Sequence, residues 1–477
     1  MVAMAELRLR EDQREIVKKL VNALSSAPWV ALQAPTGWGK TLTALAVIKE
    51  LGARPALWLT PRLAISLHVY ANAINMGLRT LATAGKEKLC GFGYTTLDFA
   101  RGVCRGCPLN KPVRLGDLKQ LSGSLDFGRV KEYAESMGIC PYSLQSMLER
   151  YNGYDVVIAH YNRVHRLIRA IKPRMVVVDE SHNLVLPTIH KIDARVMEVL
   201  LGKLGFEEDE IGQIIKSPET LKMVLNEMID ALVTIAFEDN DLKPIIEEVV
   251  QMLGCQVWFF DGSDGTITAL ELPSTNLSTD AQILYMSATL PPSLLGSSSV
   301  ITIKRGWVVP IKVDAKYSFT VENVRARRDE MVRYIRSKFL KPSTLIFTTA
   351  SREVLLGGVD EVVWEDDLGS KAPCDFRSGI LALRTFGKFI EGVDLGCFEN
   401  LVVLGYPILP PDAMRRLEAR GVDERSLAVM KSIQLIGRVV RTATQPPQLP
   451  SITLADKRFL QIKDELQKYE IQAQLET

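Results

Sequence analysis

The sequence lacks the features of a membrane-bound or secreted protein. Its 477 residues contain no run near the roughly 20 apolar residues that a membrane-crossing helix needs. Charged Glu6, Arg8 and Arg10 come too early for a signal peptide. The seven cysteines are too few and too clustered for a disulfide framework. We therefore expect a cytoplasmic protein whose clustered cysteines bind metal.

A large charge surplus is also missing, since the formal net charge is +2. The charge is nevertheless uneven along the chain. Residues 191–260 hold 6 Lys or Arg against 14 Asp or Glu, whereas the rest holds 52 against 42. The cysteine-bearing stretch 86–140 has 9 basic and 6 acidic side chains. This surplus permits contact with phosphates without proving it.

Length and composition indicate a globular protein with several domains. At roughly 150 residues per domain the chain would form about three, and its 47% hydrophobic content is ample for packed cores. Four of the cysteines lie between residues 90 and 140. Cys255, Cys374 and Cys397 stand apart, and we expect them in hydrophobic cores.

A glycine-rich loop follows the first predicted strand, which spans residues 29–33 and comes after a predicted helix over 11–23. The segment Ala34-Pro-Thr-Gly-Trp-Gly-Lys40-Thr41 matches a phosphate-binding loop, except that Ala34 replaces its first glycine. A helix predicted over 41–50 would present its N-terminal amides to the phosphates. A chance glycine turn is the alternative. The predicted ATP contacts are Ala34, Pro35, Thr36, Gly37, Trp38, Gly39, Lys40 and Thr41.

A second apolar run, residues 175–178, ends in Asp179 and Glu180. It is typical of a buried parallel strand that delivers acids at its carboxyl end. Asp179 and Thr41 would hold Mg²⁺, and Lys40 would contact the phosphates. Glu180 would orient and deprotonate the attacking water. These four residues predict one hydrolytic site.

Positive charge for such a site is available near the C-terminus, in Gln434-Leu-Ile-Gly-Arg438-Val-Val-Arg441. The two arginines are three residues apart, which places them on one face of a helix. They would act as arginine fingers on the transferred phosphoryl group, and Gln434 would help to position the water. A solvated basic helix is the alternative.

In this order, the motifs resemble the XPD family of superfamily two helicases, whose cousins are bacterial DinG and the eukaryotic FancJ and RTEL helicases. The resemblance extends over nearly the whole chain. It adds Gln13, from an adenine-reading motif, and Asp394, from Glu391-Gly-Val-Asp394, to the ATP contacts. The other matching elements are Thr60–Arg62, Asp179–His182, Ser287–Thr289, Leu345–Thr348, Gly387–Asp394, Gln434–Arg441 and Asp456–Phe459.

The clustered cysteines Cys90, Cys104, Cys107 and Cys140 are separated by 13, 2 and 32 residues. Structural zinc sites usually show two short pairs, so this spacing disfavours zinc without excluding it. The resemblance to XPD implies that the four residues bind a four-iron four-sulfur cluster. Zinc and unliganded thiols are the alternatives. We expect a structural cluster that stiffens a domain of about 55 residues.

The resemblance implies an α/β fold with two RecA-like P-loop motor domains. An iron-sulfur cluster domain and a helical arch domain would be inserted in the first motor domain. An amphipathic helix over 221–235 marks the arch. Its acidic face is either a solvated surface, a docking surface for repair or transcription proteins, or a lid. The expected parts are the first motor domain (1–85, 146–190 and 276–300), the cluster domain (86–145), the arch-like insertion (191–275) and the second motor domain (301–477).

The implied function is that of an ATP-dependent DNA helicase, a monomer that acts on single-stranded and forked DNA in repair. Travel from 5′ to 3′ is implied by the family alone. Candidate DNA contacts are Arg62, Arg101, Arg105 and Tyr142, although each alone is more often a surface or core residue. The alternatives are a single-strand DNA translocase or remodeller, and an ATP-gated scaffold in a repair or transcription complex.

Overall fold

The protein forms two compact units. The first contains Met1–Trp29, Thr41–Asp179 and Asn183–Leu284, and the second contains Val30–Lys40, Glu180–His182 and Tyr285–Thr477. The structure, a computed structural model, describes residues 9–95, 98–99, 102–114, 118, 121, 123–151, 153–239, 241–261, 265–271, 277, 279–294, 299–348, 355–356, 359, 361–368, 371–387, 389, 393–441, 445–446 and 448–476.

Strands occur along most of the chain. They are β1 (Trp29–Gln33), β2 (Ala56–Thr60), β3 (Thr80–Ala82), β4 (Val156–His160), β5 (Met175–Asp179), β6 (Thr188–Asp193), β7 (Val257–Asp261), β8 (Thr266–Glu271), β9 (Gln282–Ser287), β10 (Val300–Thr302), β11 (Val309–Asp314), β12 (Thr344–Thr348), β13 (Val362–Trp364), β14 (Ile380–Arg384), β15 (Asn400–Leu404), β16 (Ser451–Ala455) and β17 (Ile471–Leu475).

The strands form two seven-stranded sheets and one small sheet. Their spatial orders are β10-β1-β9-β5-β2-β4-β3, β13-β14-β12-β15-β16-β11-β17 and β6-β8-β7. Pairing is parallel in the second large sheet and antiparallel in the small one. The predicted α/β class with two RecA-like sheets is confirmed, whereas the predicted domain boundaries stay predictions.

Helices connect the strands. They are α1 (Glu11–Ser26), α2 (Lys40–Leu51), α3 (Leu63–Asn75), α4 (Lys86–Leu89), α5 (Phe127–Met137), α6 (Pro141–Arg150), α7 (Val164–Ile171), α8 (Ala194–Lys203), α9 (Glu208–Lys216), α10 (Pro218–Glu227), α11 (Ile229–Glu238), α12 (Lys243–Leu253), α13 (Val321–Phe339), α14 (Pro411–Glu418), α15 (Glu424–Val439) and α16 (Lys463–Gln467). No helix of the described residues is long and apolar enough to cross a membrane.

The second large sheet is built from short apolar strands that are covered on both faces. Every residue of β12 is buried, and β12 pairs in parallel with β14 and β15. Such continuous β-branched and aromatic runs are typical of parallel strands that are covered on both sides. Leu345 and Phe347 point to one face with Leu381, Leu383 and the buried side of α15.

The insertion between β5 and β9 combines the small antiparallel sheet with helices α8 to α12, which share one hydrophobic core. The amphipathic helix predicted over 221–235 is in fact two helices, α10 and α11. They are interrupted at Met228, whose φ of −93° and ψ of 14° are not helical. The apolar spacing continues across the break because Leu221 and Leu232 both enter this core, and spacing alone could not reveal it.

Helix α6, which follows Cys140, is fixed to the first large sheet by polar contacts. The Gln145 side chain exchanges two hydrogen bonds, of 2.9 and 3.1 Å, with the backbone of Ala84 beyond β3. It also donates to the Glu149 carboxylate over 3.0 Å. Arg163 and Arg166 both donate to this carboxylate, which is almost fully buried. A buried carboxylate of this kind is retained because cations and amides compensate its desolvation.

Replacing Glu149 by Gln should therefore destabilise the fold. The change leaves the Arg163 guanidinium, whose side chain is 12% exposed, without its counter-charge. We expect the free energy of unfolding to fall by about 3 kcal/mol, measured by urea denaturation. As a control, Glu135→Gln removes only an exposed partner of Lys131 and should cost less than about 0.5 kcal/mol. Equal effects of the two changes would contradict this account.

Candidate functional site

The glycine loop connects β1 to α2, as its sequence predicts. The Ala34 amide at the end of β1 donates to the Ser287 carbonyl over 3.1 Å. Helix α2 begins at Lys40, so the loop runs directly into its first turn. The unpaired amides at the start of a helix favour anions. Strand, loop and helix therefore have the order and backbone needed to hold phosphates.

Gly37 lets this loop approach another backbone closely. Its φ is +82°, and a Cβ built on it would lie 1.6 Å from the Arg441 carbonyl oxygen. A second close approach occurs nearby, because a Cβ at Gly437 would lie 2.9 Å from Thr36 Oγ1. Any larger residue at position 37 would have to displace backbone. The loop and the end of α15 are thus packed against each other through glycines.

Lys40 is directed onto the loop itself. Its side chain is 9% exposed, and Nζ donates to the carbonyls of Ala34 and Pro35 over 3.0 and 3.3 Å. A lysine ammonium beside a glycine-rich loop is a common contact for the terminal phosphates of a nucleotide. Thr41 follows it in the first turn of α2 and is half-buried.

The two predicted acids lie where β5 ends. Asp179 is the last residue of β5 and is buried, and its carbonyl accepts a hydrogen bond from the Tyr161 hydroxyl. Glu180 has a φ of +51°, a left-handed conformation that is uncommon for a residue with a side chain. Strained residues of this kind cluster at functional sites.

A series of polar contacts leads away from Glu180. His182 Nδ1 lies 3.6 Å from the Glu180 carboxylate and 2.8 Å from Ser287 Oγ. Ser287 Oγ accepts from the Thr289 amide over 3.1 Å, and Gln434 Nε2 lies 3.5 Å from Thr289 Oγ1. His182, Ser287 and Thr289 are essentially inaccessible to solvent. We call these five residues the Glu180–Gln434 relay.

Gln434 and Arg438 both lie on α15, which is buried over most of its length. Each of the two side chains is 4% exposed, so the alternative of a solvated basic helix does not hold for Arg438. Gln434 Oε1 is buried and has no hydrogen-bond partner among the described residues. A buried carbonyl oxygen of this kind costs free energy unless a donor, such as a water, reaches it.

The prediction that Arg438 and Arg441 share one helical face is wrong. Helix α15 ends at Val439, and Val440 has an extended ψ of 85°. Two consecutive β-branched residues favour this end. Arg441 therefore leaves the helix direction, and its guanidinium lies 3.8 Å from the exposed Asp394 carboxylate. Asp394 thus contacts an arginine of the site, whereas Lys388, Ile390, Glu391 and Gly392 of the same motif lie outside the described residues.

Gln13, the predicted adenine reader, serves a local purpose in the structure. It occupies the first turn of α1 and is buried, and its Oε1 accepts a hydrogen bond of 2.9 Å from the Arg10 amide. This contact caps the helix by satisfying an amide outside its hydrogen-bonding pattern. Its role as an adenine reader stays a prediction.

The clustered cysteines lie on segments that approach one another. Cys90 follows α4 and Cys140 precedes α6. A Cβ at Gly91 would lie 3.8 Å from the side chain of Leu109, in the loop after Cys107. All four thiols are half-buried and none is disulfide-bonded. Within the described residues, however, no three His, Cys, Asp or Glu side chains are grouped as a metal site would be.

The three remaining cysteines divide into two cases. Cys255 is buried in the core of the insertion, as expected, and burial raises the pKa of its thiol to about 12. Cys374 and Cys397 are joined by a disulfide bond across a Cα–Cα distance of 6.0 Å. Both are half-buried and not fully buried as expected, and Cys397 packs against the core of the second large sheet. Their separation of 23 residues in the sequence gave no sign of the pairing.

Among the predicted DNA contacts, Tyr142 lies next to both a cavity and a cationic side chain. The Arg166 guanidinium lies 5.4 Å from its ring centroid and donates to its hydroxyl. Tyr142 also lines a cavity of about 370 Å³ together with Lys111 and Arg150. Arg62 and Arg105 do not line this cavity, and Arg101 lies outside the described residues. The cavity combines an aromatic ring with cations, which suits a nucleotide.

Comparisons with known proteins fit this site. Residues 6–106 match the family "Type III restriction enzyme, res subunit". The chain is 23% identical to the ATP-dependent DNA helicase XPD of Sulfolobus acidocaldarius, over 95% of this chain and 96% of that protein. A solved XPD helicase structure is 18% identical over 98% of this chain and all of that one, with a TM-score of 0.69. For Xpd4 of S. tokodaii the identity and coverage are the same and the TM-score is 0.55.

Along nearly its whole length the chain is similar in sequence to an XPD helicase and in fold to solved XPD structures. In this chain, the roles of His182, Ser287 and Thr289 escaped the sequence reasoning, although their segments were recognised as matching motifs. Two of the contacts join residues more than 100 positions apart, namely His182 with Ser287 and Thr289 with Gln434. The available signal was the polar character of residues that immediately follow buried strands.

Gly37→Ala tests the close packing of loop and helix. The new methyl group collides with the Arg441 carbonyl oxygen. We expect this overpacking to cost about 1–3 kcal/mol, and hence to weaken binding of a fluorescent ATP analogue about tenfold. Gly85→Ala is the matched control, because a Cβ there meets nothing within 4 Å. Unchanged affinity in the Gly37 variant would contradict the described approach.

Proposed function

We propose that this protein is an ATP-dependent DNA helicase of the XPD type, which travels 5′ to 3′ on single-stranded DNA and separates duplexes in DNA repair. The observation that carries the proposal is the Glu180–Gln434 relay beside the glycine loop, because it joins the acid after β5 to the arginine helix. Similarity to the helicase of Sulfolobus acidocaldarius along nearly the whole chain supports it. Polarity and pathway derive from the family resemblance.

Hydrolysis of ATP would use the residues of the site in separate roles. Lys40 and the loop amides bind the β- and γ-phosphates. Glu180 orients a water and accepts its proton as the water attacks the γ-phosphorus. Gln434 offers its buried Oε1 as a further acceptor for this water. Arg438 and Arg441 neutralise the negative charge that develops on the transferred group.

Magnesium would fit at Thr41 and Asp179. Both supply oxygen donors, and Asp179 is a buried carboxylate at the carboxyl end of β5, the kind of ligand that Mg²⁺ takes in nucleotide sites. When bound, the ion neutralises charge on the phosphates. The protein's part is to hold Asp179 in place, which the hydrogen bond from the Tyr161 hydroxyl to its backbone carbonyl supports.

The relay also offers a path from nucleotide to the rest of the unit. A displacement of Gln434 when the γ-phosphate departs would alter its contact with Thr289, and then those with Ser287 and His182. Because these side chains are buried and hydrogen-bonded, a displacement of one of them would break hydrogen bonds unless its neighbours moved as well. This coupling would link ATP turnover to movement along DNA.

An iron-sulfur cluster would use Cys90, Cys104, Cys107 and Cys140. Four half-buried thiols on converging segments supply the right donor chemistry. The described side chains are not gathered into a metal-binding group, so binding would have to draw the thiols together, as occurs when metal binding and folding are coupled. Once bound, the cluster would crosslink α4, the loop after Cys107 and α6.

DNA would be contacted through the cavity beside Tyr142, with Arg62 and Arg105 as additional cations; Arg101 belongs to the same hypothesis. Stacking of a base on Tyr142 and pairing of its phosphate with Lys111 or Arg150 would suit single strands of any sequence. The acidic insertion repels phosphates and is better suited to repair or transcription proteins. The protein would act as a monomer in the cytoplasm on single-stranded and forked DNA.

Strand separation provides the direct test. Duplexes with a 5′ tail should be opened in the presence of ATP and those with a 3′ tail should not. Glu180→Gln should reduce DNA-stimulated ATP hydrolysis about 100-fold or more, because it removes the base, and should retain ATP binding. Glu198→Gln, on the exposed side of α8, is the control and should behave as wild type.

Other outcomes of this experiment would contradict parts of the proposal. Opening from the 3′ tail alone would reverse the proposed polarity. ATP hydrolysis without opening of either duplex would indicate a translocase instead of a helicase. An absence of DNA-stimulated hydrolysis would refute the motor function altogether.

Metal analysis tests the cluster. Protein purified without oxygen should contain iron and acid-labile sulfide in equal amounts and absorb visible light. Cys107→Ser should lose both elements, since a missing ligand destabilises the cluster. Cys255→Ala, which changes a thiol outside the proposed ligand set, should retain them. Zinc in place of iron, or no metal at all, would refute the proposed cluster.

A further inference from the structure

The disulfide between Cys374 and Cys397 is not explained by the proposed function. Cys374 lies in the short 3₁₀ turn Pro373–Phe376, and Cys397 comes three residues after Asp394. Both residues are half-buried. A disulfide that is partly exposed can be reached by a thiol reductant, whereas a buried one is protected.

The segment 394–398, which contains Cys397, holds the end of the arginine helix. The Leu395 amide donates to the Arg438 carbonyl over 3.1 Å. The Asp394 carboxylate lies 3.8 Å from the Arg441 guanidinium. Two proposed arginine fingers are therefore contacted by consecutive residues of one short segment.

The disulfide joins Cys374 to this segment at Cys397. Cys374 Sγ also lies 3.5 Å from the carbonyl oxygen of Asp394, at the start of the segment. Leu395 and Phe398 anchor it in the core, where α15 also packs. A Cβ on Gly396 would lie 3.6 Å from the Val439 carbonyl oxygen, an ordinary van der Waals distance, so the segment lies directly against the end of α15. The segment is thus fixed by a covalent bond, a core contact and the helix end.

We propose that Cys374 and Cys397 form a reversible thiol–disulfide site that sets the position of residues 394–398 against the end of α15, and thereby the rate of ATP turnover. This inference rests on the proposed function. The oxidised form is the faster one, because the disulfide holds Asp394 and Leu395 where they order Arg441 and Arg438. In the reduced form the segment keeps its core anchors and loses its covalent restraint.

The chemistry requires a dithiol as the partner. One thiolate of the dithiol attacks a sulfur of the Cys374–Cys397 bond, which yields a mixed disulfide and releases the other cysteine as a thiolate. The second thiol of the partner then displaces the remaining cysteine. Two electrons and two protons pass to the cysteines, and the partner leaves as its own disulfide. Oxidation is the same exchange in reverse, with a disulfide of the same class as the acceptor.

The experiment compares wild-type protein equilibrated with oxidised or with reduced dithiothreitol, without oxygen. Alkylation in denaturant followed by intact-mass measurement gives the number of free thiols in each sample. Steady-state kinetics then give kcat and KM for ATP. Hydrogen exchange, read on peptides that contain residues 393–398, reports the restraint of the segment independently of activity.

The double variant Cys374→Ser/Cys397→Ser is the matched control. It keeps Cys90, Cys104, Cys107, Cys140 and Cys255, so any action of dithiothreitol on those thiols appears in it as well. We expect the oxidised wild type to carry two fewer free thiols than the reduced form and to show a kcat about fivefold higher, the low end of typical allosteric effects. The double variant should resemble the reduced wild type under both treatments.

Exchange at the Leu395 amide should be faster in the reduced wild type than in the oxidised one. The inference is refuted if both cysteines are alkylated whatever the treatment, if kcat and exchange are the same in both forms, if the reduced form is faster in turnover, or if the double variant responds as the wild type does. Should the wild type hydrolyse no ATP in either form, the proposed function fails. The exchange measurement then still decides whether the disulfide restrains the segment.

Discussion

The close approach of the glycine loop to the end of α15 is the contact on which the rest of the site depends. At Gly37, the Arg441 carbonyl oxygen occupies the place that a side chain would otherwise take. Gly437 likewise allows α15 to approach Thr36. Backbone can come this near only where Cβ atoms are missing. Because of it, Arg438 and Arg441 belong to the surroundings of the phosphate-binding loop.

The polar contacts of the Glu180–Gln434 relay depend on that packing. With α15 seated beside the loop, Gln434 comes within reach of Thr289, and the relay continues through Ser287 and His182 toward Glu180. Buried polar groups are tolerated when they bond to one another, since each contact offsets the desolvation of its members. The left-handed backbone of Glu180 costs of order 1–3 kcal/mol, which this well-packed surrounding compensates.

The cysteines occur in two chemical states, as free thiols and as a disulfide. Cys90, Cys104, Cys107 and Cys140 remain thiols on segments that converge, a state compatible with metal binding. Cys374 and Cys397 are bonded to each other beside the arginine residues of the site. Thiol–disulfide exchange and metal binding both consume thiolates, and the two groups of cysteines belong to different units of the chain.

The sequence by itself determined the local elements of this protein. Apolar runs predicted β1 and β5, and the order of strand, loop and helix predicted the phosphate site, because such features depend on neighbouring residues. Only the tertiary structure decided the break of the 221–235 helix at Met228 and the pairing of Cys374 with Cys397. These outcomes are set by contacts between residues distant in the chain, and neither spacing nor composition records which distant residues meet.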